Sequence, residues 1–185
     1  APTRPPGTGT LQTPTGYTRL PIWSAADNVQ LFAKVHSGSE SNPTVTPSGG
    51  SAGDTVSAVT FGFRNMPVTL TDLSDLVVRV SQPLLNASAQ NITYPEMGNP
   101  KVNGCVVLAL GWKQDDWTSV AALTGFTEAV DVSTTTGNDQ GLVVDYVIQT
   151  TKAPILAGAF TVTGGASAIS RAAVVALAAG YQTLT

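Results

Sequence analysis

Val102-Asn-Gly-Cys-Val-Val-Leu-Ala-Leu-Gly-Trp112 is the stretch on which the fold turns. Val106, Leu108, Leu110 and Trp112 recur at every second residue. That period belongs to an extended strand, whose successive side chains point to opposite faces. Leu142-Val-Val-Asp-Tyr-Val-Ile-Gln-Thr150 alternates well enough to pair with it. Further out, Ala159-Phe-Thr-Val-Thr163 follows Pro154 and Gly158, and Gly164-Gly-Ala166 turns the chain. Ile169–Ala179 is ambiguous: its alanines suit a helix, while Arg171, Ala173, Val175 and Leu177 against Ala172, Val174 and Ala176 suit a strand. It reads as a strand, because a lone terminal helix would need a sheet face to cover.

Toward the N-terminus the same period recurs. Ile92-Thr-Tyr94 before Pro95 reads as an edge strand, and Leu76–Val80 as a short one. Thr55–Phe63 places Val59, Phe61 and Phe63 on one face. Val29, Leu31, Ala33 and Val35 alternate with Gln30, Phe32, Lys34 and His36. Ser37–Asp54 is a polar loop rich in Gly, Ser and Pro. About eight to nine strands at irregular spacing, with no βαβ rhythm, imply an all-β protein. The expected architecture is an antiparallel two-sheet β-sandwich of jelly-roll type, with a closed barrel as the alternative. Val106, Leu108, Leu110, Tyr146, Ile148, Phe160 and Val162 are the expected core.

Composition agrees. The 185 residues include 25 Thr and 14 Ser, and only 11% are charged, against about 25% in ordinary soluble domains. A surface of hydroxyls suits strands better than exposed helices. A net charge of −3 makes nucleic acid and anionic membrane poor partners. No run approaches the roughly 18 apolar residues of a membrane span.

Residues 1–16 read as an extended Pro/Gly/Thr-rich arm and residues 17–185 as the β-sandwich domain. Four prolines disfavour a hydrogen-bonded ladder of the arm's own. Ordering such a segment costs about 1–2 kcal/mol per residue, which an exposed Leu11 does not offset. Pro2, Arg4, Pro5, Pro6, Leu11 and Pro14 are therefore expected to bind another polypeptide.

Few residues invite chemistry. Cys105 is the single cysteine and sits in an apolar run, so it reads as a small buried hydrophobe, and no intrachain disulfide can form. His36 is the single histidine and reads as a strand-end surface residue, which rules out multi-histidine zinc sites. Gly7-Thr-Gly9 lacks the third glycine and the preceding strand of a dinucleotide fingerprint. Asp115, Asp116, Asn138 and Asp139 offer oxygen ligands but match no calcium-loop spacing, and Gly137-Asn-Asp-Gln-Gly141 makes a good tight turn. Asn86-Ala-Ser88 and Asn91-Ile-Thr93 satisfy the glycosylation sequon, which matters only in a eukaryotic secretory setting. No carboxylate pair stands in a context suited to acid–base work. No enzyme activity, cofactor or metal is expected.

Gly-Cys-Val-Val-Leu-Ala-Leu-Gly-Trp (104–112), Asp-Asp-Trp-Thr-Ser (115–119), Thr-Thr-Thr-Gly-Asn-Asp-Gln-Gly-Leu-Val (134–143) and Phe-Thr-Val-Thr-Gly-Gly-Ala-Ser-Ala-Ile-Ser-Arg (160–171) carry a resemblance. In style and order, roughly residues 55–180 resemble small β-rich structural proteins of tailed bacteriophages, of the head-decoration or tail-associated kind. They also look like lectin-type sandwiches of bacterial surfaces. The resemblance implies a virion protein and brings no catalytic residues. The leading expectation is a capsid decoration (cement) protein on the capsid surface. It would bind the major capsid protein or another virion protein as a homo-oligomer, a trimer by preference. The alternative is a carbohydrate- or receptor-binding module of a phage tail or cell surface, using Trp112, Asp115, Asp116, Trp117 and Tyr94. Exposure of the rings discriminates the two.

Overall fold

The computed structural model describes residues 10–24, 29–36, 38–39, 41–49, 55–64, 73–137 and 139–179. Among them there is no α-helix, only one 3-10 turn at Leu73–Leu76. Four two-residue strands lie in the first half: β1 (Thr10–Leu11), β2 (Thr18–Arg19), β3 (Phe32–Ala33) and β4 (Pro47–Ser48) pair as β1–β4 and β2–β3. The longer strands follow: β5 (Val77–Val80), β6 (Leu84–Ala89), β7 (Ile92–Tyr94), β8 (Cys105–Lys113), β9 (Ser119–Ala121), β10 (Thr127–Thr134), β11 (Gln140–Gln149), β12 (Gly158–Thr163) and β13 (Ala168–Ala178). Every pairing is antiparallel.

The central sheet has six strands in the order β10-β11-β8-β13-β5, with β6 also beside β13. β6 pairs with Ala168–Ala172 and β5 with Val175–Leu177, so the two share one edge of the longest strand. The second sheet is β7-β12-β9. In the centre, Leu108 stands between Tyr146 and Val175, and Leu110 between Val144 and Ala173.

All nine residues of β8 are buried, and this decides the layering. A strand that is apolar on both faces must be covered on both. Val107, Ala109, Val143, Val174 and Ala176 face the second sheet and pack with Ile92, Trp117, Val120, Phe160 and Val162. Val106, Leu108, Leu110, Trp112, Leu142 and Val175 face the other way. They are covered by Leu20, Ile22, Trp23, Val29 and Leu31 from the N-terminal part of the chain. Two apolar clusters therefore flank one sheet.

The all-β antiparallel architecture and the strands at 76–80, 92–94, 102–112, 142–150, 159–163 and 169–179 match expectation within a few residues at their ends. Ile92–Tyr94 is indeed an edge. Four expectations need correction. Residues 55–63 form no strand; Val59 and Phe61 lie half-buried on the cluster around Trp112 while Phe63 is exposed. Of residues 29–35 only Phe32–Ala33 is a strand. Ile148 is 66% exposed instead of in the core, and Tyr146 is only half-buried, because both lie toward the end of β11 that the N-terminal cover leaves open. Phe160 and Val162 are buried, but on the face opposite Val106, Leu108 and Leu110.

Candidate functional site

The end of β8 carries the most polar chemistry. After Trp112 and Lys113 the chain leaves the sheet, passes Asp115 and Asp116, and enters the second sheet at β9 by way of Trp117. The two tryptophans part company here. Trp112 is 0% exposed in the cluster beneath the N-terminal cover, and its Nε1 donates to Gln140 Oε1 at 2.9 Å. Trp117 is buried between the sheets, and its Nε1 donates to Asp131 Oδ1. Tyr94 is buried too, with its ring edge-on to Phe160 at 5.8 Å. Trp112, Trp117 and Tyr94, the rings that the alternative carbohydrate-binding reading would use, form no common exposed surface. Two of the rings lie on opposite sides of one sheet, and none of the three faces solvent.

Asp115, Asp116 and Asp139 do come together. A carboxylate oxygen of each lies within 4.8 Å of the others, and all three residues are half-buried. Asn138 lies outside the described residues. Asp115 Oδ2 accepts from Ala166 N and stands 3.8 Å from Lys113 Nζ. Lys113 is fully buried, and burial lowers its pKa while Asp115 and Asp116 pull it back up. Gly164 and Gly165 have φ of 79° and 69°, a left-handed pair that brings the turn against this loop. A β-carbon on residue 165 would collide with the Asp116 carbonyl oxygen.

Two further aspartates, which the sequence pattern does not single out, also bond inward: Asp145 is fully buried and Asp131 half-buried. Asp131 accepts from Trp117 Nε1 and, through Oδ2, from Val120 N at 2.9 Å. Asp145 is 0% exposed and accepts from Leu123 N at 2.7 Å through Oδ2. Together with Ser133 Oγ, which donates to Trp117 O at 3.0 Å, they tie residues 117–123 to the central sheet. Burial pushes the Asp145 carboxyl up, the Leu123 N–H opposes this, and Glu128 and Asp131 add to the rise. The signal was an acid at an inward position of an otherwise apolar strand, where a carboxylate persists only with a partner to meet.

The remaining residues are accounted for locally. Cys105 is buried, burial raises its thiol pKa, and its Sγ–H donates to Val102 O. His36 is exposed and its Nδ1 accepts from Gly38 N at 3.1 Å. Both sequon asparagines are engaged: Asn86 Nδ2 donates to Thr93 O and Ser170 Oγ, and Asn91 Oδ1 accepts from Val162 N.

Of the arm, Pro2, Arg4, Pro5 and Pro6 lie outside the described residues. Leu11 is 5% exposed and Pro14 is buried, so the expectation of an exposed Leu11 is corrected. β1 pairs with β4, Gln12 N donates to Thr46 O at 2.9 Å, and Tyr17 N donates to Pro14 O at 3.0 Å. Thr46–Ser48 thus supply, from within the chain, a partner for Thr10–Gln12.

No family model, no curated protein and no solved structure matches the chain.

Proposed function

We propose that this protein is a non-enzymatic structural component of a phage virion, a capsid decoration protein that binds the shell and bridges its subunits. The observation that carries the reading is the burial of Trp112, Trp117 and Tyr94. The rings that a carbohydrate site would use are consumed by the core, so the competing lectin-like reading loses its platform. The resemblance of residues 55–180 to phage structural proteins supplies the rest of the argument.

We also infer that the sandwich is of jelly-roll type. What supports this is the nesting of its pairs: β6 lies beside β13, β7 beside β12, and β8 beside β11. Such nesting is that of one long hairpin, 6–9 against 10–13, folded over on itself. The cross-pairs β8–β13 and β9–β12 are those that rolling it up creates. The proposed assembly is a cyclic homo-oligomer, three copies by preference, seated on the major capsid protein.

In this reading the contacts to a neighbouring subunit come from residues 1–9, since Leu11 and Pro14 are committed to their own chain. Nine extended residues span roughly 30 Å, enough to cross a subunit boundary. The test adds full-length protein and a variant lacking residues 1–9 to undecorated particles and compares occupancy. Binding of the full chain with loss of occupancy on truncation is expected. Failure of the full chain to bind any particle would remove the reading.

A further inference from the structure

The central sheet ends in two strand edges that no other strand pairs among the described residues. β10 pairs only with β11, and β5 and β6 pair only with β13. A free edge presents unpaired N–H and C=O groups and attracts another chain. Because every pairing in the sheet is antiparallel, directions alternate across it, and β10, β8, β5 and β6 all run the same way.

The register puts complementary residues on the two edges. Val132 pairs with Leu142, Leu142 with Trp112, Trp112 with Arg171, and Arg171 with Leu85. Val132 and Leu85 are thus the two ends of one row across the sheet, on the face that carries the N-terminal cover. Leu142 and Trp112 in this row are fully buried, whereas Leu85 is 53% and Val132 37% exposed. Toward the Cys105 end the edges carry opposite charge. On the face toward the second sheet, Glu128 stands opposite Asp145 and Arg79 opposite Ala176. Both Glu128 and Arg79 are exposed, and neither makes an ion pair among the described residues. The row of Glu128 reaches β13 at Val174, two residues from Ala176. That offset is about 7 Å along the strands, which two long side chains span.

Cyclic symmetry about an axis along the strands brings these edges together. It allows no rise between copies, so β10 of one copy meets β5 and β6 of the next in parallel and at equal height. Val132 then stands beside the next copy's Leu85, and Glu128 within reach of the next copy's Arg79. We propose that copies of this chain join edge to edge in a closed ring, β10 of each against β5 and β6 of the next. The contact is heterologous, so closing the ring uses both edges of every copy. Closure at three rests on the assembly reading above, in which residues 1–9 reach the shell while these edges join the copies.

Sedimentation velocity and native mass spectrometry of the full-length protein measure the oligomer, beside its binding to undecorated particles. A mass of three chains is expected. Arg79→Glu and Glu128→Arg should each weaken association by about tenfold, because each sets like charges together, and the double swap should restore it. Val132→Asp should give a monomer that circular dichroism shows to be folded, since the residue is exposed in the single chain. A wild-type monomer or dimer, or single charge variants that associate like the wild type, would overturn the proposal. Monomers that still decorate particles would do so while leaving the virion reading in place. A trimer that decorates none would support the edge contact and remove that reading.

Discussion

The six-membered ring of Trp117 occupies the space in which a β-carbon on residue 141 would stand. Gly141 lies in β11 opposite Lys113, on the face toward the second sheet, and the absence of a side chain there lets the indole seat against the strand. Trp117 then reaches Asp131, and the chain behind it is delivered to β9. Gly141→Ala should therefore cost about 1–3 kcal/mol through overpacking of a buried site. Chemical denaturation read by tryptophan fluorescence measures it. A loss below half a kcal/mol would show that the ring does not depend on this close approach.

Asp145 makes stability depend on pH in the direction opposite to an ion-paired acid. Its folded pKa lies above its unfolded value, chiefly because of burial. The folded state therefore holds the proton more tightly. Stability falls as pH rises from the unfolded carboxylate pKa through the folded one, and the deficit persists at neutral pH. Asp145→Asn removes this term and retains an oxygen for the Leu123 N–H. The variant should gain stability over the wild type as pH is raised from about 3.5 to 7. Thermal unfolding at a series of pH values is the measurement, and parallel curves for the two proteins would refute it.

The strands that carry the fold were legible because their apolar alternation is strong: β8, β11, β12 and β13 are all in the sequence pattern. β10 was not, because Thr127-Glu-Ala-Val-Asp-Val-Ser-Thr134 is an edge strand with a mostly exposed, polar surface and an irregularity between Glu128 and Val130. The two clusters were read as one core because alternation assigns residues to faces without saying what covers each face. Val106 and Phe160 could be matched only once the N-terminal segment was seen lying over one side. The acidic cluster was half legible. Asp115, Asp116 and Asp139 were singled out by type, but their convergence depends on β8 and β11 being neighbours in the sheet.

Position along β8 and β11 separates two aliphatic residues that share a face. Leu108 is 2% exposed beneath the N-terminal cover, whereas Ile148, paired beside Val106, is 66% exposed. Leu108→Ala should cost about 2–5 kcal/mol, and Ile148→Ala less than about 0.5 kcal/mol. Equilibrium urea unfolding of both variants checks the difference. Comparable losses would mean that the cover extends over Ile148.

The burial of Leu11 divides the arm into two functional parts. Thr10–Leu11 pairs with Pro47–Ser48, Thr10 Oγ1 and Ser48 Oγ lie 2.8 Å apart, and Gln12 N bonds Thr46 O. This short ladder anchors the chain just before it runs on to Leu20, Ile22 and Trp23, which cover Leu108 and Trp112. Removing residues 1–9 leaves the ladder intact and should not change Tm. Removing residues 1–16 deletes Leu11 and Pro14, frees the loop around Pro47, and loosens the start of the cover. A buried leucine alone contributes about 1.5–3 kcal/mol. At the 2–4 °C per kcal/mol expected for a chain of this size, Tm should fall by roughly 3–12 °C. Differential scanning calorimetry of the two truncations beside the full chain decides it. If both truncations melted with the wild type, Leu11 would contribute nothing to the fold, and the whole of residues 1–16 would be free to serve a partner.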